Sequence, residues 1–293
     1  DRSPLVRKQT STLLTNLLKE DYLKWRGLLF YRFLISLLDC NIDVRNYIEY
    51  CLVDVLLERS PLMFFNHFLD SIFILNEARH ARSSFELAAS GLTTQKSKES
   101  GLGLSGADHR DKRNYLYSFM LQYFTDQQRF QTTTRICQEI LGVLVDENAA
   151  HEISDEILYD CLNILSCKEI KLTSLNKQQA AESTIADDEE SAGGNAAAIA
   201  AVAELTKTAL RKAVKQAIID LIIPVLVSLK HQLEAKRSPM LKYLLAYFLE
   251  LTKDYKSEID EIFAVDQQLA TEICYDLKRF ERTDKIRINS AVQ

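Results

Sequence analysis

The sequence predicts an all-α fold, a solenoid of antiparallel helix pairs, and three observations carry that expectation. The first is a repeat. Val6-Arg7 recurs as Val44-Arg45, 38 residues later, a period typical of stacked helix-pair repeats. The second is that the match extends along a helical stripe, because Val6, Thr10, Leu13, Leu14 and Leu17 map at that offset onto Val44, Ile48, Cys51, Leu52 and Val55. Both sets follow helical spacing, so each marks one face of a helix. The third is composition: the chain has 8 glycines and 4 prolines in 293 residues, far below average usage of about 7% and 5%. Turn-dense β architectures are thereby disfavoured. Apolar residues make up 47% and charged residues 26%, enough for one continuous stacked core. The opening itself returns downstream, where Arg237-Ser238-Pro239-Met240-Leu241-Lys242 repeats the pattern of Arg2-Ser3-Pro4-Leu5-Val6-Arg7.

In chain order, helices are expected over 3–20, 22–38, 41–57 and 60–87, with breaks short enough for antiparallel neighbours. Ser3-Pro4, Ser60-Pro61 and Ser238-Pro239 mark helix starts. A serine at the N-cap accepts orphan amide protons, and a proline in the first turn loses no bond. A proline-directed kinase could read the same dipeptides. Residues 89–109 form a Gly/Ser/Lys loop without periodicity, after which helices resume near 110–125, 126–145 and 152–167. Lys177 to Ala203 turns acidic and then Ala/Gly-rich, which predicts a mobile linker, although Ala196 to Ala203 could extend the next helix. A long helix follows from about Glu204 to Lys236, with a kink expected at Pro224. Another starts at Ser238-Pro239, and further helices are expected near 255–263 and 265–282. The domain organisation expected is therefore 1–176, a linker over 177–203, a helical block over 204–283 and a tail over 284–293.

Charge and cysteine usage narrow the function classes. Net charge is −5, so the chain as a whole is no polyanion binder, but the charge is unevenly spread. From Leu205 to Lys242 there are eight Lys/Arg against Asp220 and Glu234; from Tyr243 to Ala270 there are two against six acids. The longest apolar run, Leu221 to Leu229, is broken by Pro224 and Ser228, far short of the ~20 residues a membrane helix needs. A soluble protein with no membrane partner is expected. Six cysteines without CxxC spacing suit a reduced, intracellular setting. The chain opens at Asp1 with no leader-like segment, which reads as an excerpt of a longer protein.

Motifs that suggest chemistry mostly fail on context. Gly101-Leu102-Gly103-Leu104-Ser105-Gly106 satisfies G-x-G-x-x-G, but a dinucleotide site needs a strand ending at that turn, and Lys96-Ser97-Lys98-Glu99-Ser100 is no strand. Glu77-Ala78-Arg79-His80 could donate two ligands to a carboxylate-bridged metal pair, yet no second Glu-x-x-His exists to complete it. No catalytic motif, cofactor or metal site is expected. Lys207, Arg211 and Lys215 recur at i, i+4, i+8 with Lys212 beside them, and Leu210, Val214, Ala217, Ile218 and Leu221 form the adjoining apolar face. That edge of a packed helix offers four cations to a phosphate backbone, or is simply a solvated face. A second basic set, Lys96, Lys98, Arg110, Lys112 and Arg113, is diluted by Glu99, Asp108 and Asp111. Ser183 and Thr184 precede the run Asp187-Asp188-Glu189-Glu190, a setting an acidophilic kinase could use and equally a solvated acidic stretch. Tyr22, Trp25, Phe30, Tyr31 and Phe33 could stack on bases, but Leu23, Gly27, Phe30, Leu34 and Leu37 make a helical stripe, so packing explains most of them.

The stretch Val6-Arg7-Lys8-Gln9-Thr10 through Glu20-Asp21-Tyr22-Leu23-Lys24-Trp25-Arg26-Gly27 resembles the HEAT-repeat region of condensin D-type subunits, and Tyr22, Trp25 and Arg26 tilt the likeness to condensin II. Pro224 through Lys230-His231, Lys236-Arg237-Ser238-Pro239, Asp254-Tyr255-Lys256 and Phe263-Ala264-Val265-Asp266 are similar to that family's downstream helices. The resemblance implies a non-catalytic HEAT-repeat α-solenoid subunit that binds the condensin II kleisin, meets the SMC ATPase subunits through the complex, and holds double-stranded DNA or chromatin in mitotic chromosome condensation. It implies a nuclear, chromosomal location. A HEAT or armadillo-type adaptor for transport or phosphatase complexes, or the condensin I counterpart, is the alternative.

Overall fold

The computed structural model describes residues 2–25, 28–78, 102–145, 154–171, 194–256, 259 and 270–280, and for 194–204 and 207 the backbone only. Among these residues no strand occurs. The helices form two compact units, Asp1–Phe124 with His151–Ile164 and Thr125–Ala150 with Leu165–Gln293. The expected linker lies outside the described residues up to 193, and from Gly194 the chain is already helical.

The first unit starts with α1 (Pro4–Lys19), with Ser3 at the N-cap and Pro4 at its head. Helix α2 (Leu29–Ile35) ends in a 3-10 turn, Ser36–Leu38. Asn41 caps α3 (Ile42–Tyr50) by accepting the Asp43 and Val44 amides at 3.0 and 3.1 Å, and α3 continues as a π-helical segment, Cys51–Leu57. Then come α4 (Met63–Leu75), α5 (Arg110–Gln122) and the part of α7 (Asp155–Ser166) up to Ile164. Helix α1 lies along α3 and its π continuation, and α4 lies against both α2 and α5. The core is aromatic: Phe64 meets Phe119 at 5.7 Å and Phe68 meets Phe124 at 5.4 Å, both edge to face. Burying such side chains stabilises by about 1.5–3 kcal/mol each.

Two expectations for this unit are corrected. Helix α2 starts at Leu29 rather than 22, because Asp21 turns left-handed (φ 64°) and ends α1; Trp25 then reaches back from the connection, its ring 5.5 Å from Phe30 and 5.9 Å from Phe33. Helix α4 stops at Leu75 rather than 87. Glu77 is left-handed (φ 55°), and the amides of Glu77 and Ala78 return to Ile74 and Phe73 at 3.1 and 2.9 Å, which satisfies the helix's last carbonyls.

In the second unit, Thr125 and Gln128 form a reciprocal capping box at the start of α6 (Asp126–Arg135). Helix α6 runs on through a π segment, Ile136–Leu141, into Gly142–Val145. A 3-10 turn, Lys168–Ile170, precedes the long α8 (Gly194–Ala217), which passes through a π segment, Ile218–Ile222, into α9 (Ile223–Ala235). The widened pattern sits immediately before Pro224, the residue that lacks a ladder donor and crowds the preceding turn. Helix α10 (Leu241–Asp254) packs on α9, and residues 270–280 form a further helix.

Candidate nucleic-acid interface

Of the four expected cations on α8, Arg211, Lys212 and Lys215 are exposed; Lys207 lies one turn earlier on the same helix, with its backbone alone described. Four residues of α-helix rise about 6 Å, so Arg211 and Lys215 stand one turn apart. The other side of α8 is fixed. Val214, Ile218 and Ile222 are buried and, with Phe130, Leu165, Ile170, Tyr247 and Leu251, line a cavity of about 50 Å³. At its rim Lys171 reaches Asp254 at 3.0 Å and Glu250 at 3.3 Å. Burial pulls the Lys171 ammonium down, but the bonds to Asp254 and Glu250 outweigh it and hold the pKa above the ordinary lysine value. The strip therefore projects from a helix whose packed face is held by the unit's core.

In the second basic set Lys112 is exposed, but Arg110 and Arg113 are engaged within the unit. Lys96 and Lys98 lie outside the described residues. Arg110 pairs with Glu156 at 2.8 Å and stacks 3.9 Å above the Tyr159 ring. Arg113 is fully buried: its Nε donates to Asp160 at 2.7 Å, its Nη2 to Asp160 and Glu156 at 3.1 Å, and its Nη1 to the carbonyls of Leu104 and Gly106 at 2.7 Å each. Asp160 also accepts from Tyr117 at 3.0 Å and Asn76 at 2.7 Å. The Asp160 carboxylate on α7 thus joins the end of α4 and α5, and Arg113 ties this centre to the glycine-rich loop. Arg110 first, then Arg113, hold the Glu156 carboxyl below its ordinary value, overcoming burial.

The same contacts dispose of the glycine motif. A phosphate loop presents amides to its ligand. Here the Leu104 and Gly106 carbonyls face a guanidinium, while the Gly103 amide donates to Glu77 at 3.1 Å. Gly103 (φ 67°) and Gly106 (φ 88°) supply the left-handed turns that aim those carbonyls. Glu77 is thereby occupied in the loop, and His80 lies outside the described residues, as do Ser183 and Thr184. Among the described residues no group of three or more His, Cys, Asp or Glu could hold a metal, and no helix is long and apolar enough to cross a membrane. Phe30, Tyr31 and Phe33 are buried, so they serve packing rather than base stacking.

Sequence reasoning passed over a second polar centre. Lys230, only 3% exposed, meets Asp276 at 2.5 Å, Glu234 at 3.6 Å and Glu272, which also accepts from His231 at 3.0 Å. A signal existed for both centres: Asp160 sits among Ile157, Cys161 and Ile164, and Lys230 among Leu226, Leu229 and Leu233, each a charge on a helix's apolar arc. Charges placed there need partners.

Among the described residues the helices pack in pairs with no strand, which defines the class as a stack of helical repeats. The chain matches two family profiles, "non-SMC mitotic condensation complex subunit 1" over residues 1–155 and the "Condensin-2 complex subunit D3-like" HEAT repeats over residues 168–289. It is 39% identical to condensin-2 complex subunit D3-L of Xenopus laevis and 38% identical to condensin-2 complex subunit D3 of Mus musculus, in each case over 96% of the chain and 18% of the relative. It is 34% identical to condensin-2 complex subunit CAP-D3 of Arabidopsis thaliana, over 96% of the chain and 21% of the relative. The chain spans about a fifth of the length of these relatives. No solved structure matches it. The chain belongs to the condensin-2 D3 family of HEAT-repeat, non-SMC condensin subunits, and its fold class is the all-α HEAT-repeat solenoid. Neither family description names an enzymatic activity.

Proposed function

We propose that this chain is a non-catalytic scaffold segment of a condensin II-type complex, which docks on the kleisin subunit and holds double-stranded DNA or chromatin along α8. The SMC ATPase subunits then act on it through the complex, on chromosomes in the nucleus during mitotic condensation. The observation that carries the DNA contact is the exposure of Arg211, Lys212 and Lys215 on a helix whose opposite face is locked in the core. The relatives' printed names, which place them in condensin-2 complexes, support the partners. Lysine and arginine on a solvated helix edge meet phosphates, so the proposed contact is independent of sequence.

The test is reconstitution with the kleisin, followed by titration with unrelated DNA duplexes at several salt concentrations. Four phosphate contacts give a slope of log affinity against log salt of about −3.6. Changing Lys207, Arg211, Lys212 and Lys215 to glutamine should flatten that slope and weaken all duplexes alike, with helicity kept, since glutamine is nearly as good a helix former as lysine. Unchanged affinity and slope would make the strip a solvated face. Failure to co-purify with the kleisin would favour the adaptor reading.

A further inference from the structure

The cavity behind α8 is walled mostly by hydrocarbon, from Phe130, Val214, Ile218 and Leu251, but two polar side chains also line it. Tyr247 on α10 is only 4% exposed, and among the described residues its hydroxyl has no hydrogen-bond partner. Burial pushes the phenol well above its ordinary pKa, so it remains a donor at neutral pH. Thr133 on α6 has committed its proton to the Arg129 carbonyl at 3.0 Å, which leaves its oxygen as an acceptor. We propose that this cavity is a binding slot for a small carboxamide, the acetylamide head of an acetylated lysine on a basic partner peptide. Tyr247 donates to the amide carbonyl and Thr133 accepts from the amide N–H.

Volume, polarity and charge select that ligand. The cavity of about 50 Å³ holds roughly four heavy atoms at the ~10–15 Å³ that each water-sized group needs. An acetamide group has that size and carries one acceptor and one donor. Water fits less well, because each molecule wants roughly two to four polar partners and this wall supplies few. An aliphatic side chain would leave the Tyr247 hydroxyl buried and unmatched. A lysine ammonium would shed its water against hydrocarbon, a cost that acetylation removes. At the mouth Lys171 faces Glu250 and Asp254, side chains 29–43% exposed, so one cation against two acids leaves the rim negative. That charge complements Lys and Arg residues flanking the acetylated position. The same long side chains hold a peptide backbone away from the slot, which favours the long methylene stem of lysine over the shorter one of glutamine.

The test titrates the chain, by fluorescence polarisation, with a labelled lysine-rich peptide that carries one central acetyllysine, and with the same peptide bearing lysine or glutamine at that position. The acetylated peptide should bind about tenfold tighter than either. Tyr247→Phe keeps the ring and Thr133→Val keeps the shape; each should weaken the acetylated peptide by about tenfold and leave the lysine peptide unchanged. Because the Tyr247 hydroxyl is unpartnered, Tyr247→Phe should not lower the urea midpoint of the chain without peptide. Absent binding of the acetylated peptide, equal affinity for its lysine form, or an affinity indifferent to Tyr247→Phe would overturn the proposal. So would a lowered midpoint, which would give the hydroxyl a structural partner, and tighter binding of the glutamine peptide, which would assign the slot to an unmodified side-chain amide.

Discussion

Among the described residues each unit buries one cation between its helices, and the two are satisfied differently. Arg113 in the first unit is wholly enclosed, its planar fork dividing five contacts among Asp160, Glu156 and two carbonyls, with Arg110 balancing the second carboxylate. Lys230 in the second unit faces three carboxylates, of which Glu234 and Glu272 are about 40% exposed. Guanidinium geometry lets one side chain fix several elements at once, whereas an ammonium is a point charge that gathers acids at a rim. The first centre is therefore a structural joint of its unit. The second ties the 270–280 helix to α9 while leaving Glu234 and Glu272 partly in water.

That difference breaks most visibly on substitution. Asp160→Asn removes the buried carboxylate of the pair and leaves Arg113 with Glu156 alone as its charge partner, which should cost the first unit about 3 kcal/mol. Trp25, the single tryptophan, lies in that unit, so its fluorescence in urea reads the loss. Lys230→Met should cost the second unit only about 1–2 kcal/mol, because the acids it releases can turn to solvent. Hydrogen exchange over 270–280 measures it. Equal losses would show that the two centres do the same work.

Acid should separate the units next. The His67 ring lies 4.3 Å from Phe30, and burial pushes its pKa down to about 4. A histidine kept neutral in the fold but protonated when unfolded contributes stability that is complete above about pH 6.5 and is lost as the pH falls toward the folded value. Between about pH 7 and pH 5 the first unit should lose about 2 kcal/mol, and His67→Gln should abolish that loss. In the second unit Lys230, with His231, depresses the Glu272 carboxyl. Its contribution persists above the ordinary carboxylate pKa and fades only below it, so exchange in α10 and 270–280 should hardly change over the same interval.

The helical class was readable because periodicity and the shortage of glycine are properties of short windows. Partners distant in sequence were not readable. Arg113 looked like a member of a basic patch until Asp160, 47 residues away, came to its side. Exposure was equally hidden: Val6 and Val44 have the same local pattern, yet Val6 is 41% exposed and Val44 2%. The α8 strip was legible down to its apolar flank, since Val214 and Ile218 are buried as their spacing required. Chain ends of helices were misjudged for a specific reason, that Asp21 and Glu77 end theirs in the left-handed conformation without glycine.

Those helix ends give the smallest and sharpest comparison. Glu77 (φ 55°) in the first unit and Arg237 (φ 49°) in the second occupy the same position after α4 and α9; beyond Arg237 the Ser238 amide returns to Leu233 at 2.9 Å, just as Ala78 returns to Phe73. A side chain in this conformation costs about 1–2 kcal/mol, and glycine recovers part of that against its own chain entropy. Arg237→Gly should therefore stabilise the second unit by about 1 kcal/mol. Glu77→Gly relieves the same backbone but deletes the acceptor of the Gly103 amide, an exposed bond at 3.1 Å. Its gain should be smaller, about 0.5 kcal/mol or less, as a net hydrogen bond of about 0.5–1.5 kcal/mol is forfeited. Urea midpoints of the two variants, read by Trp25 fluorescence for the first unit and by exchange in α10 for the second, decide the matter. An equal gain at both positions would mean that Glu77 contributes nothing to holding the glycine-rich loop, and that Arg113 alone fixes it.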